Sequence, residues 1–73
     1  MDSKSSHLLR TIGTNIRSLR ENRNFTQVEL AKKAGMNSNH FSKIERGEVN
    51  TSSVKVKNII DALGVRASDI LPF

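Results

Sequence analysis

The chain has 73 residues, no cysteine and a formal net charge of +5, so we expect one small domain without disulfides or thiolate metal sites. The histidines, His7 and His40, lie far apart with no carboxylate at ligand spacing, so the sequence predicts neither a metal nor any other cofactor. No apolar run is long enough to span a bilayer and no signal-peptide core is present, which predicts a cytoplasmic protein without membrane contact.

The charge favours a polyanionic partner, because twelve Lys and Arg stand against seven Asp and Glu. Many ordinary soluble domains are equally basic, so the placement of the charges matters more than their sum. The cations on the first two predicted helices include Arg10, Arg17, Arg20, Lys32 and Lys33.

Apolar residues recur at helical spacing and no stretch alternates with period two, which predicts an all-α fold of five helices. Residues 1–6 are small and polar and are expected to form a flexible N-terminal arm before a compact domain over residues 7–73. A first helix is predicted from about Ser6 to Arg23, and Gly13 within it indicates a close helix crossing. Its buried stripe is Leu9, Ile12, Ile16 and Leu19.

The second predicted helix has clear start and stop signals. Thr26 and Glu29 have the spacing of a capping box, in which each side chain meets a free backbone N–H of the first turn. Gly35 can adopt the left-handed conformation that ends a helix, so the helix should stop at Ala34. A hydrophobic staple is predicted around the cap, between Phe25 and Leu30.

The third predicted helix is capped by Asn37, ends at Gly47 and has two unlike faces. At about 100° per residue, Phe41 and Ile44 fall opposite an arc of about 100° that contains no acid. The groups in this arc suit base edges and phosphates, and their residues are Asn39, Ser42, Lys43 and Arg46. An ordinary solvated helix face is the alternative interpretation, but the short preceding helix and the glycine turn together favour a DNA-reading helix.

Two more helices complete the predicted domain. The fourth is capped by Ser52 or Ser53 and closed by Gly64. A last short turn, Ala67 to Leu71, is stopped by Pro72. The apolar stripe of the fourth helix is Val56, Ile59, Ile60 and Leu63.

Residues 26–47 resemble the helix-turn-helix of the phage repressor and Cro-like (Xre-type) bacterial regulators. The resemblance extends over about residues 9–71 and implies the compact five-helix fold of phage repressors, with the helix-turn-helix in helices two and three. The matching residues are Ile16, Arg17, Leu19, Arg20, Phe25-Thr26-Gln27, Glu29-Leu30-Ala31, Ala34-Gly35, Phe41, Ile44-Glu45-Arg46-Gly47, Ile59, Ala62-Leu63-Gly64-Val65 and Ile70-Leu71.

The resemblance also implies roles for individual residues. Gln27, first in the second helix, would bind a DNA phosphate together with nearby N–H groups, and Arg46 at the end of the third helix would more naturally reach a phosphate than a base. His40 is either a phosphate contact or an ordinary surface histidine. The base-reading positions are Ser38, Asn39 and Lys43, with Ser42 beside them, and the residues that would meet the flanking backbone are Asn50 and Ser53.

Three charged residues could be mistaken for functional groups. Arg20 and Glu45 border apolar stripes, and the resemblance implies that they form a partly buried ion pair joining the first and third helices, rather than DNA contacts or catalytic groups. Glu29 could act as a general acid, but its spacing from Thr26 indicates a helix cap, and no partner residue is suitably spaced.

Apolar residues crowd the C-terminus and admit two interpretations. They complete the core, or they form a two-fold dimer that would place two recognition helices about 34 Å apart on a palindromic site. The resemblance favours the dimer, and the residues concerned are Val65, Ile70, Leu71 and Phe73.

The leading function is therefore sequence-specific binding of double-stranded DNA to regulate transcription, by a homodimer with its third helix in the major groove of a palindromic operator. Minimal family members of this kind include restriction–modification controllers, phage repressors and the DNA-binding halves of antitoxins. The alternative is a protein-interaction module, such as an antitoxin that binds a partner toxin. No nucleophile–base pair, phosphate loop or metal cluster indicates an enzyme, and no small-molecule ligand is expected.

Overall fold

Five α-helices and no strand occupy the part of the chain that the computed structural model describes, residues 3–73, with side chains described from residue 5. The all-α prediction with five helices is confirmed. No helix within these residues is long and apolar enough to cross a membrane. The helices are α1 (Ser3–Asn22), α2 (Gln27–Lys33), α3 (Ser38–Glu45), α4 (Ser53–Leu63) and α5 (Ala67–Ile70).

The N-terminal boundary differs from the prediction. Helix α1 begins at Ser3 instead of near Ser6, so residues 3–6 of the expected arm lie in the helix, while residues 1 and 2 lie outside the described residues. Extending an existing helix adds about one hydrogen bond per residue fixed, without the cost of a new nucleus. Small polar residues are therefore tolerated in this first turn, although they gave no helical pattern in the sequence.

The predicted caps set the limits of the short helices. At α2, the N–H of Thr26 donates to Glu29 Oε1 over 2.8 Å and the N–H of Glu29 donates to Thr26 Oγ1 over 3.0 Å. The backbone N–H of Thr26 holds the pKa of the Glu29 carboxyl below its usual value. At α3, Asn37 Oδ1 accepts from the N–H groups of Asn39 and His40. The capping-box interpretation of Glu29 is confirmed.

The remaining turns follow the glycine and serine signals. Ser52, not Ser53, caps α4, because its Oγ accepts the N–H of Lys55 over 3.2 Å. Gly35 and Gly64 have φ of +72° and +69° after α2 and α4, the left-handed conformation that ends a helix.

The hydrophobic core lies where all five helices meet. Its largest fully buried side chains come from each of them and are Ile16, Leu30, Phe41, Ile59 and Ile70. Phe25, in the loop before α2, packs against this cluster, which includes Leu30, its partner in the predicted staple. Because α3 has only eight residues, it depends on this packing for its stability.

Helices α1 and α3 approach each other closely at Gly13. A Cβ placed on Gly13 would lie 2.5 Å from the carbonyl oxygen of Ile44 and would also overlap that of Glu45. Real side chains do not tolerate such contact with backbone atoms, so the crossing requires glycine. The close helix crossing predicted at Gly13 is confirmed.

Replacing Gly13 with alanine tests this crossing. The variant should lose about 2 kcal/mol or more of unfolding free energy, because α3 must move away from α1, although alanine favours an isolated helix by about 1 kcal/mol. Urea denaturation followed by circular dichroism measures the change. Ser18→Ala, at an exposed site of the same helix, is the control and should not destabilise. Equal stability of the two variants would contradict the close crossing.

Candidate nucleic-acid interface

Helix α3 presents its polar arc to solvent and its apolar side to the core. Phe41, Ile44 and Glu45 are buried, whereas Asn39 and Lys43 on the other side are exposed. Ser38 and Ser42 are half-buried at the edges of the same face. The amide, hydroxyl and ammonium groups singled out from the sequence therefore share one accessible surface, on a helix that the core fixes from behind.

A buried ion pair orients α3 against the rest of the domain. Arg20 Nε donates to Glu45 Oε2 over 2.7 Å, and Arg20 Nη2 donates to Glu45 Oε1 over 3.3 Å. Arg20 Nη1 also donates to the carbonyl oxygen of Phe25 over 2.8 Å. The side chains of the pair are only 11% and 2% exposed. The implied ion pair is confirmed, and it joins α1, the loop before α2 and the end of α3.

Gln27 lies beside this pair, at the first position of α2. Its Nε2 donates to Glu45 Oε1 over 2.9 Å, so Glu45 accepts hydrogen bonds from both α1 and α2. An amide nitrogen has two N–H groups, which leaves the second one for another acceptor. The bond therefore fixes the Gln27 amide next to α3 without using all of its donors.

Sequence reasoning missed Glu48, which lies against the polar face of α3. Arg46 Nε donates to Glu48 Oε2 over 2.6 Å, Arg46 Nη2 donates to Glu48 Oε1 over 3.2 Å, and Arg46 Nη1 donates to Ser42 Oγ. The hydrogen bond from Arg46 holds the pKa of the Glu48 carboxyl below its usual value. Gly47, at φ +71°, turns the chain here, so a helical wheel that stops at the helix end cannot place Glu48.

A side-chain contact ties the loop after α3 to that helix. A ring nitrogen of His40 lies 3.2 Å from Thr51 Oγ1, within hydrogen-bonding distance, and links α3 to the loop. Asn50 and Ser53, the predicted flanking contacts, are both exposed, in the loop and at the start of α4. Both residues follow α3 in the chain.

Some of the cations counted in the sequence are already engaged. Arg20 is buried in its ion pair, and Arg17 lies 3.6 Å from Glu21. Lys33 Nζ is 5.2 Å from the centre of the Phe25 ring. A polyanion would therefore meet fewer free charges than the composition suggests.

The C-terminal residues correct part of the dimer prediction. Ile70 is fully buried in the core of its own chain, and its carbonyl oxygen accepts a hydrogen bond from Asn15 Nδ2 over 2.9 Å, so it cannot contribute to a dimer surface. The residue was misplaced because a four-residue helix gives too short a pattern to separate its inner from its outer side. Leu71 and Val65 are half-buried, whereas Phe73 is 83% exposed.

With this geometry in place, comparison with known proteins identifies the family. Residues 11–71 match the family described as helix-turn-helix domain. The chain belongs to this family. The chain is 36% identical over 61 residues to the immunity repressor protein of Bacillus phage phi105, a match that covers 84% of this chain and 42% of the relative. The chain thus spans about two-fifths of the length of that relative.

Two solved structures are similar over nearly their whole length. The restriction-modification controller protein C.AhdI from Aeromonas hydrophila superposes with a TM-score of 0.84 at 27% identity, over 86% of this chain and 96% of that one. The clp gene regulator ClgR from C. glutamicum superposes with a TM-score of 0.85 at 31% identity, over 89% of this chain and 83% of that one. The chain therefore has the fold and the helix-turn-helix of Xre-type regulators of transcription, which are not enzymes.

Replacing Glu45 with glutamine tests the buried pair. The change leaves the Arg20 guanidinium without a counter-charge and should cost about 3 kcal/mol of unfolding free energy, measured by urea denaturation. Glu21→Gln breaks an exposed pair and should change stability little. If Glu45→Gln kept full stability but altered DNA sequence preference, Glu45 would be a DNA-reading residue and the structural assignment would be wrong.

Proposed function

We propose that the protein binds a palindromic operator as a homodimer, with α3 of each chain in the major groove of double-stranded DNA. The observation that carries the proposal is the exposed polar face of α3, held in place from behind by the core and by the Arg20–Glu45 pair. An α-helix fits into the major groove, where each base pair presents a distinct pattern of hydrogen-bond donors and acceptors.

The proposed base readers are those on the accessible face of α3. Asn39 can pair with adenine through its amide, and Lys43 can donate to the acceptors of guanine. Ser38 and Ser42 have hydroxyls that suit several base edges. Gln27, with its second amide N–H and the N–H groups that begin α2, is proposed to bind a phosphate.

The flanking contacts follow from the loop after α3. Asn50 and Ser53 are proposed to meet the DNA backbone beside the groove, because both are exposed, in the loop after α3 and at the start of α4. His40 is engaged with Thr51, which supports a role in placing this loop for a phosphate contact. Arg46 belongs to the same proposed interface.

Substitution of single proposed base-contacting residues tests whether α3 reads the DNA sequence. Asn39→Ala should weaken binding to a site selected from random duplexes by about 1–3 kcal/mol and relax the preference at one base pair. Binding is measured by fluorescence anisotropy at two salt concentrations. Asn58→Ala removes the same side chain from an exposed position of α4 and is the control. Equal affinity of both variants, or no salt dependence of wild-type binding, would contradict α3 as the reading helix.

The dimer is proposed to form through α4 and α5. These helices border a shallow apolar concavity of about 490 Å³, whose lining includes Val56, Ile60, Leu71 and the exposed Phe73. A two-fold axis packs the same patch of each chain against itself, so Phe73 of one copy could enter the concavity of the other. A surface with both a projecting ring and an apolar hollow suits a second copy of this chain.

Sedimentation equilibrium at micromolar concentration tests the dimer. Phe73→Ser should shift the protein toward monomer and reduce the affinity for a palindrome more than for a half-site. Val54→Ser removes a similarly exposed apolar residue outside the concavity and should leave the association unchanged. A wild-type monomer that binds DNA one to one would contradict the dimer and would favour a different protein, such as a toxin, as the occupant of this surface.

A further inference from the structure

Three of the five N–H groups of the Arg46 guanidinium are engaged within the chain. Glu48 takes the Nε and Nη2 edge through both carboxylate oxygens, and Ser42 Oγ accepts from Nη1. This two-point arrangement is the one in which arginine binds a phosphate. Glu48 therefore takes the Nε and Nη2 edge of Arg46, where a DNA phosphate would otherwise bind, and neutralises its charge.

The same contacts set the hydrogen-bonding direction of Ser42. A hydroxyl has one donor and two acceptor sites, and the bond from Arg46 uses an acceptor site of Oγ. The Ser42 proton must then point elsewhere, so the hydroxyl offers a donor to a base edge. Acceptors in the major groove are purine N7, guanine O6 and thymine O4.

The pair has little to do with the stability of the domain. Its side chains are 52% and 51% exposed, and exposed ion pairs contribute little to folding. Glu48 also places a negative charge beside a surface that is otherwise suited to DNA, which lowers the attraction to any phosphate backbone. Its effect should therefore appear in DNA binding, not in folding.

We propose that Glu48 is a positioning residue that keeps Arg46 on Ser42 and away from the DNA backbone. Glu48 thereby weakens non-specific binding and fixes Ser42 as a hydrogen-bond donor to the bases, which raises the ratio of specific to non-specific affinity. This inference rests on the proposed function of α3 as the reading helix. It changes the role of Arg46 from a phosphate contact to a support for Ser42.

The test compares Glu48→Gln with Asp61→Asn. Both remove one exposed carboxylate from an ion pair, and the Lys57–Asp61 pair on α4 lies apart from the α3 face. Binding of each variant to random duplex DNA is measured across a salt series. Thermal unfolding of each variant checks that it remains folded.

Glu48→Gln should steepen the slope of log affinity against log salt by about 0.9 relative to Asp61→Asn, the value for one added phosphate contact. Over a rise from about 50 to about 200 mM salt, this slope corresponds to a roughly threefold larger loss of affinity. The preference for a selected site over random DNA should fall severalfold. Adding Arg46→Gln to Glu48→Gln should remove the extra slope, whereas Arg46→Gln alone should leave the wild-type slope unchanged.

Three results would overturn the inference. They are equal salt-dependence slopes for Glu48→Gln and Asp61→Asn, a shallower slope for Arg46→Gln alone, and an unchanged preference of Glu48→Gln for the selected site over random DNA.

Carboxylate titration by NMR in the free protein adds a readout that needs no DNA. Glu48 should titrate below its usual range, and Arg46→Gln should restore it. If the wild-type protein did not bind DNA, the proposed function would be refuted. If the pKa of Glu48 were at its usual value, only this inference would be refuted.

Discussion

The ion pair between Arg20 and Glu45 holds together the parts of the domain that form the interface. One guanidinium joins α1 to α3 and, through the Phe25 carbonyl, to the loop before α2. The carboxylate of Glu45 also accepts the amide of Gln27. Buried pairs of this kind define geometry more reliably than they add stability, and here the geometry is the relative position of α2 and α3, the two helices of the proposed DNA interface.

Close packing completes the same constraint. Gly13 lets the backbone of α1 touch the end of α3, while Phe41 and Ile44 anchor α3 in the core. A helix of eight residues has too few hydrogen bonds to persist alone. The outward face of α3 is therefore free to vary in sequence, because the inward face and the buried Arg20–Glu45 pair fix the position of the helix.

Features that depend on neighbouring residues could be predicted from the sequence. Features that depend on packing between distant parts of the chain could not. The capping box at Thr26 and the turn at Gly35 depend on residues within one helical turn, so spacing alone located them. Ile70 was misplaced because its burial depends in part on α1, where Asn15 lies 55 residues away in sequence. Glu48 was missed because it reaches α3 only after the chain turns at Gly47. The positions of Asn39, Ser42 and Lys43 could be expected from the helical period, and that of Ser38 from the family resemblance. Their hydrogen-bonded partners could not be expected from either.

The central claim is that α3, mounted on α1 and α2, is the surface that meets DNA. Backbone amide shifts of the labelled protein, recorded during titration with a duplex selected from random sequences, test it most directly. The account predicts that the largest changes occur at Asn39, Ser42 and Lys43 and at the start of α2, with smaller changes on the outer side of α4. Large changes confined to α4 and α5, with α3 unaffected, would contradict the account.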